Sequence, residues 1–340
     1  MDARIILDLS SQHAVLVQIA RARRKLRIDE AALASGADFP DAWSEGDGVA
    51  CKQSSDALVR PGSSTGTMKD ARLRLLNQLR LLAPLAKSHR VACILPDHDY
   101  EYRIDPPVDV GQKSSGPAAP EDAARLSHCY WNRPGFPADT KPFRRLATGM
   151  QIGVHRDVVK GLRQELQAFD WDLESVFSPI MVVARCEAET TAAPVLAMSL
   201  IEGSNSLRLV LHYGGCPVFS RRLRVSWLRT PSQLGAVEGD WRRPLLSQPL
   251  SRDRSQELLF EVRRTIQYTA RRCPLPIVGI SVYGALGSDE RALESLQSAL
   301  QLPVLPASLP TDVALIDGLQ ELPTHYALSV QAGRLAMEVT

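Results

Sequence analysis

Between Glu257 and Gly287 the chain switches its hydrophobic period once. Leu258, Val262, Ile266 and Thr269 recur at helical spacing, with Arg263, Arg264, Arg271 and Arg272 largely off that stripe, which predicts an amphipathic helix. Cys273-Pro274-Leu275-Pro276 breaks it. Ile277, Val278, Ile280 and Val282 then form a short, almost wholly apolar run that stops at Gly284, the pattern of a strand covered on both faces.

Upstream, residues 4–9, 14–19 and 25–29 carry short apolar runs separated by Ser10–His13 and by an arginine-rich turn, predicting an antiparallel meander. Residues 34–67 turn to Gly, Ser, Asp and Pro and read as a long loop. A helix follows over 69–88, with Leu73, Leu76, Leu79 and Leu82 along one face, and then a buried strand over 90–95 stopped by Pro96. The stretch from 97 to about 153, rich in Pro and Gly and carrying Tyr100, Tyr102, Tyr130 and Trp131, reads as an insertion. After it come a helix (155–169), a strand (171–176) and a helical stretch (178–188). The second half repeats the order, with strands at 194–201, 206–212 and 215–226, helix 252–272, strand 277–283, helix 288–301, strand 302–306 and a terminal helix from 323. Such a repeat points to an internal duplication. Both copies open with hairpin-length connections that only antiparallel strands allow, which disfavours a wholly parallel sheet.

The helix–strand unit, the segment 215–226 (GCPVFSRRLRVS) and the segment 323–337 (PTHYALSVQAGRLAM) resemble the PilM group of type IV pilus assembly proteins. The MshI proteins and the cytoplasmic part of type II secretion L proteins are similar to that group. The resemblance implies an α/β fold, the duplicated actin-like ATPase (ribonuclease H-like) fold with a small inserted subdomain of the type called 1C. It implies a first domain of residues 1–96 and 154–192, an insertion of 97–153 and a second domain of 193–340.

It also implies where a nucleotide would sit. Actin-like ATPases hold phosphates between two hairpins, each with an Asp followed by small residues, because backbone amides must come within ~3 Å of phosphate oxygens. Asp8 stands at the first acid, with Ser10 and Ser11 as donors, but Leu9 or Ser10 replaces the expected glycine. In the second hairpin Ser199 replaces the acid and Ile201 the glycine, leaving Gly203, Ser204, Asn205 and Ser206 to re-form a loop and Glu202 as the nearest substitute carboxylate. The adenosine-side glycine pair becomes Gly284-Ala285, with Gly287 close behind, and Glu257 lies on the helix that borders the nucleotide in the family. Plainer roles stand beside these: Asp8 as a turn cap, Gly284 as a strand end, Ser199 as a strand residue and Glu257 as a solvated helix residue. With departures in all three motifs, ATP with magnesium is expected to bind weakly or not at all, without turnover.

Composition narrows the classes. A chain of 340 residues, 44% hydrophobic and 23% charged, suffices for two packed domains, and its net charge of +2 gives no overall drive towards nucleic acid. The arginine clusters at 21–27, 221–224 and 242–243 are read either as solvated faces or as patches for anionic lipid or a partner. No segment approaches the ~20 apolar residues needed to span a bilayer, and the N-terminus lacks a signal-peptide pattern, so a cytoplasmic location is expected. The six cysteines lie far apart without zinc spacing, and Asp97-His98-Asp99, His128-Cys129 and His13 suggest no metal or catalytic centre. No P-loop, nucleophile-elbow or His-Glu-x-x-His motif occurs. The resemblance implies a scaffold that binds the cytoplasmic tail of a PilN-like inner-membrane protein. Pilus motor or platform proteins and a peripheral contact with the inner membrane are further expected partners. The rival is an active ATPase or sugar-kinase-like enzyme on the same fold; an FtsA-like filament would need a C-terminal amphipathic helix.

Overall fold

The computed structural model describes residues 2–11, 13–22, 25–35, 64–83, 87–105, 126–130, 149–190, 195–203, 206–223, 252–271, 273, 275–309, 313–314 and 324–338. In the first half, β1 (Ala3–Asp8), β2 (His13–Ala22) and β3 (Lys25–Ser35) form an antiparallel meander. The helix α1 (Ser64–Leu82) leads to β4 (Arg90–Ile94), which pairs in parallel with β1, and β8 (Asp172–Phe177) pairs in parallel with β4. Between β4 and β8 lie β5 (Tyr100–Asp105), β6 (Leu126–Tyr130), β7 (Gly149–His155) and α2 (Arg156–Gln167). The three strands form a separate antiparallel sheet, order β5-β7-β6, which is the predicted insertion.

After α3 (Pro179–Thr190) the second half repeats the plan with β9 (Leu196–Glu202), β10 (Leu207–Tyr213), β11 (Cys216–Leu223), α4 (Arg252–Ala270), β12 (Ile277–Tyr283), α5 (Glu290–Leu300) and β13 (Val304–Pro306). The two large sheets read β3-β2-β1-β4-β8 and β11-β10-β9-β12-β13, with the same sequence of antiparallel and parallel pairings. The strand order confirms the duplication.

Alternation in β9 explains how the second sheet serves two cores. Leu196, Met198 and Leu200 face the apolar cluster under α4 and α5, while Ile201, with Val210 and Tyr283, joins the cluster of the first lobe. Apolar side chains therefore close the seam between the lobes.

The chain's end departs from the simple division at 193. The two-residue β14 (Val313–Ala314) adds in parallel to β3, and α6 (Ala327–Glu338) packs on β1, β2 and β4 and against α3. Residues 313–314 and 324–338 thus return to the first lobe, and the second sheet and its described helices lie within 196–306. A helix buried from Ala327 to Gly333 must approach the sheet closely, and Gly333 permits this. A Cβ there would lie 2.2 Å from Ile19 Cδ1 and 3.1 Å from Ile6 Cγ1. Arg21 donates from Nη2 to the Met337 carbonyl at 2.7 Å, capping the last turn of α6, and Arg27 pairs with Asp29 at 2.6 Å. Two exposed members of the basic run thus also have partners in the fold; Arg23 and Arg24 lie outside the described residues.

Replacing Gly333 with Ala gains helix propensity but forces Ile19 to move, so the two effects partly offset. Gly333→Val, with two further methyls in the same gap, is expected to lower the unfolding free energy by about 3 kcal/mol in denaturant titrations. An unchanged midpoint would show that α6 does not seat against β1 and β2 as described.

Candidate functional site

The tips of the two meanders meet where the lobes join. Asp8 ends β1 and is buried. Its Oδ1 accepts hydrogen bonds from the Ser10 backbone N–H at 2.9 Å and the Ser10 hydroxyl at 2.6 Å, and its Oδ2 accepts from the Ser329 hydroxyl of α6 at 3.3 Å. This is an Asx-type turn that also anchors α6. Burial pushes the carboxyl pKa up, and the three hydrogen bonds oppose that shift. The Ser11 hydroxyl is likewise turned inward, donating to the His13 carbonyl at 2.8 Å.

Glu202 ends β9, the strand equivalent to β1, so the second copy also carries an acid at the tip of its first strand. Its carboxylate crosses to the turn after β12 and accepts from the Leu286 N–H at 2.9 Å, and also from the Ala285 N–H. Burial again raises the pKa, against the pull of those two amides. Gly284 makes the contact possible. Its φ of +101° suits glycine, and a Cβ there would stand 2.6 Å from Glu202 Cβ and 2.8 Å from Oε2. The Glu202 side chain lies directly over Gly284-Ala285.

The hairpin of Glu202 closes through the Gly203 N–H, which donates to the Ser206 carbonyl at 2.8 Å. A Cβ on Gly203 would lie 3.0 Å from that carbonyl and 3.7 Å from the Ser10 carbonyl of the opposite hairpin. A phosphate bridging the two tips needs a donor within ~3 Å on each side, and the Gly203 N–H is already given to Ser206.

Around these tips the lining is apolar or neutral. Ile201 and Tyr283 are register partners across β9 and β12, and both are buried in the shared cluster. Ser199 is fully buried, with its hydroxyl 3.1 Å from His212 Nε2. His13 and His325 are also buried, and His13 Nδ1 and both ring nitrogens of His325 have no hydrogen-bond partner. Desolvation lowers their pKa values to about 4 for His13 and about 3 for His325, which also feels the charge of His13, and His212 falls to about 3. These imidazoles are neutral at physiological pH.

A second link between the lobes crosses farther along the seam. The Arg208 guanidinium of β10 forms an ion pair with Asp97, donates to the Ser220 hydroxyl at 2.8 Å and lies 4.5 Å from the centroid of the Tyr102 ring. Tyr102 in turn donates to Asp97 Oδ1 at 2.7 Å. Both charged side chains are about nine-tenths buried, so removing either one strands its partner, at a cost of about 3–5 kcal/mol.

No family model and no curated protein sequence matches the chain. Among solved structures it is similar to a chain of the PilM-PilN type IV pilus biogenesis complex, at 16% identity over 98% of both chains with a TM-score of 0.63. It is more distantly similar to a Bacteroides thetaiotaomicron protein with an actin-like ATPase fold and unknown function, at 7% identity over 89% of this chain and 90% of that one, TM-score 0.45. The cytoplasmic domain of EpsL, from the type II secretion system of Vibrio cholerae, matches at 10% identity over 67% and 72% of the two chains, TM-score 0.34. The chain has the actin-like ATPase fold.

In the terms of that fold, the structure brings Asp8, Ser10, Gly203, Gly284 and Ala285 to one junction, as the sequence suggests. Their polar groups, however, serve one another and Glu202. Ser204 lies outside the described residues. Glu257 is half-buried in the second turn of α4, the helix that packs on α5. Among the described residues no group of three His, Cys, Asp or Glu side chains could hold a metal ion. Asp97, in the Asp-His-Asp run, is engaged by Arg208 and Tyr102. Sequence reasoning missed the Asp97–Arg208 link and the buried His325, since neither forms a local motif.

A buried imidazole whose folded pKa lies below the unfolded value near 6.5 stabilises the fold fully above that pH, and the contribution is lost as pH falls towards the folded pKa. Asp8 and Glu202 act in the opposite sense, because their raised pKa values let the folded chain take up a proton first. Between pH 7 and 5 the three histidines draw stability down while the two acids oppose them, and a histidine substitution isolates the first part. His325→Gln should flatten the slope by up to about 1.4 kcal/mol per pH unit. An unaltered slope would mean that His325 titrates normally in the folded state.

Proposed function

We propose that this protein is a cytoplasmic actin-like scaffold of the PilM or MshI type, serving a type IV pilus or a related secretion machine. It binds the cytoplasmic tail of a PilN-like inner-membrane protein and does not hydrolyse ATP. The observation that carries the reading is the full-length likeness to a chain of the PilM-PilN complex. The closed junction supports the second half: Glu202 already occupies the Ala285 and Leu286 amides, and the Ser10 and Gly203 tips stand in near contact. No described helix is long and apolar enough to cross a membrane, so a link to the inner membrane on this reading runs through the partner.

The tail's place is a groove between the first meander and the inserted sheet. In that sheet β5 and β6 are the outer strands, which suits capture of an extended tail by backbone hydrogen bonds and a few apolar anchors. Pilus motor or platform proteins are further candidates for the same scaffold.

Tagged protein isolated with detergent-solubilised membranes should retain a single-pass inner-membrane protein, and a synthetic peptide of that protein's cytoplasmic tail should bind the purified chain. The same preparation should release phosphate from Mg-ATP at the rate of a no-protein control. Failure to retain any membrane protein, together with ATP turnover abolished by Asp8→Ala, would instead establish an enzyme on the actin-like fold.

A further inference from the structure

On the far side of the second lobe, α4 presents a surface that the fold itself does not use. Its inner stripe, Leu258 and Val262, is buried in the second core. Its outer face carries Phe260, 64% exposed, and Tyr268, 42% exposed, the latter stacked on Phe219 at 5.5 Å between ring centroids. Arg263, Arg264 and Arg271 are exposed on the same helix. Phe260, Arg264, Gln267 and Arg271 follow one another at helical spacing, so aromatic and cationic groups share one outward stripe.

Beside this stripe, the C-terminal ends of α4 and α5 and the start of β12 enclose a cavity of about 420 Å³. Ile266, Ala270, Leu275, Ile277, Leu300 and Leu302 give it an apolar floor. Arg263 and Gln267 stand at its border, and Arg263 spans it by donating to the Ala299 carbonyl at 2.6 Å. The size falls in the range of sites that take ligand or anchor side chains. An apolar centre bordered by arginine is a composition found at protein-binding sites.

The charges choose the partner. Glu261, the acid nearest this stretch of α4, is held by Arg221 at 2.5 Å and reaches Arg264 only at 4.0 Å. Arg271 forms no ion pair with a described residue, and the Arg263 contact is to a neutral carbonyl. The surface therefore carries net positive charge around an apolar cavity.

We propose that this surface docks an amphipathic helix from a partner protein, apolar on one face and acidic along its flanks. Its apolar side chains fill the cavity between α4 and α5, and its carboxylates meet Arg264 and Arg271. A second copy of the chain is a poor occupant, because its strongly amphipathic helix α2 exposes Arg156, Lys160 and Arg163. A flat lipid surface would leave the concave cavity unfilled. The inference is independent of the reading of the interlobe junction.

Two synthetic helices of equal length and identical leucine stripe, one flanked by Glu and one by Lys, test it by fluorescence anisotropy on the full chain. The Glu-flanked helix should bind saturably, at least about tenfold tighter than its Lys-flanked twin, and weaken as salt rises. Arg264→Glu with Arg271→Glu should reverse that preference. Ala270→Trp, at an exposed helix position lining the cavity, should abolish binding of both helices without shifting the thermal melt. Equal binding of the two helices, or insensitivity to Ala270→Trp, would overturn the proposal. So would sedimentation with phosphatidylserine vesicles or self-association that Ala270→Trp leaves intact while neither helix binds.

Discussion

The side chain of Glu202 reaches from the end of β9 onto the Ala285 and Leu286 amides, over a glycine held at a positive φ. A half-buried carboxylate is costly unless its oxygens are satisfied, so this contact ties the second hairpin to the turn after β12. Gly203 follows in the same hairpin, where an added Cβ would reach the Ser10 carbonyl of the opposite tip at 3.7 Å, and Ile201 and Tyr283 are buried in the shared cluster. The first lobe answers in kind, with Asp8 spent on Ser10 and on Ser329 of α6. Each copy of the duplicated fold thus ends its first strand in an acid, and each acid holds the protein's own chain.

The same economy runs along the seam. Helix α3 leaves the first lobe to pack on β10 and β11, α6 returns to pack on β1, β2 and β4, and the two helices touch. The Asp97–Arg208 pair adds a buried ionic link from the end of the first lobe's central strand to the second sheet, with Tyr102 of the inserted sheet as a third member. Relative rotation of the lobes would have to break the apolar packing of the seam and a buried ion pair together. A rigid scaffold gains from such a seam, whereas an enzyme that closes on its nucleotide would have to open it.

Much of this was legible in the sequence because it rests on local pattern. Hairpin-length connections, the leucine stripe of α1 and the apolar run Ile277–Val282 define both copies, and the strand order follows from them. Ile201 in place of a glycine already signals obstruction, since a branched side chain at a backbone approach needs no further context. What pattern could not supply were contacts between distant segments. That Glu202 turns to Leu286, that Ser329 reaches Asp8 and that Arg208 meets Asp97 are pairings across 84, 321 and 111 positions. The terminal helix was visible, but its side of the molecule was not, because a stretch buried on nearly every face carries no directional stripe. Nor could pattern show that Arg21, in the basic run read as a solvated face or a patch for lipid or a partner, also caps α6 across 316 positions.

On the proposed reading, the protein's own side chains fill the junction between the lobes and a nucleotide does not operate it. Spin labels at the exposed positions Asp157 of α2 and Glu294 of α5 report the separation of the lobes directly in a double electron–electron resonance experiment. One narrow distance distribution, unchanged by saturating Mg-ATP, is expected. A shift of several ångströms on adding Mg-ATP, reversed when the nucleotide is removed, would contradict it.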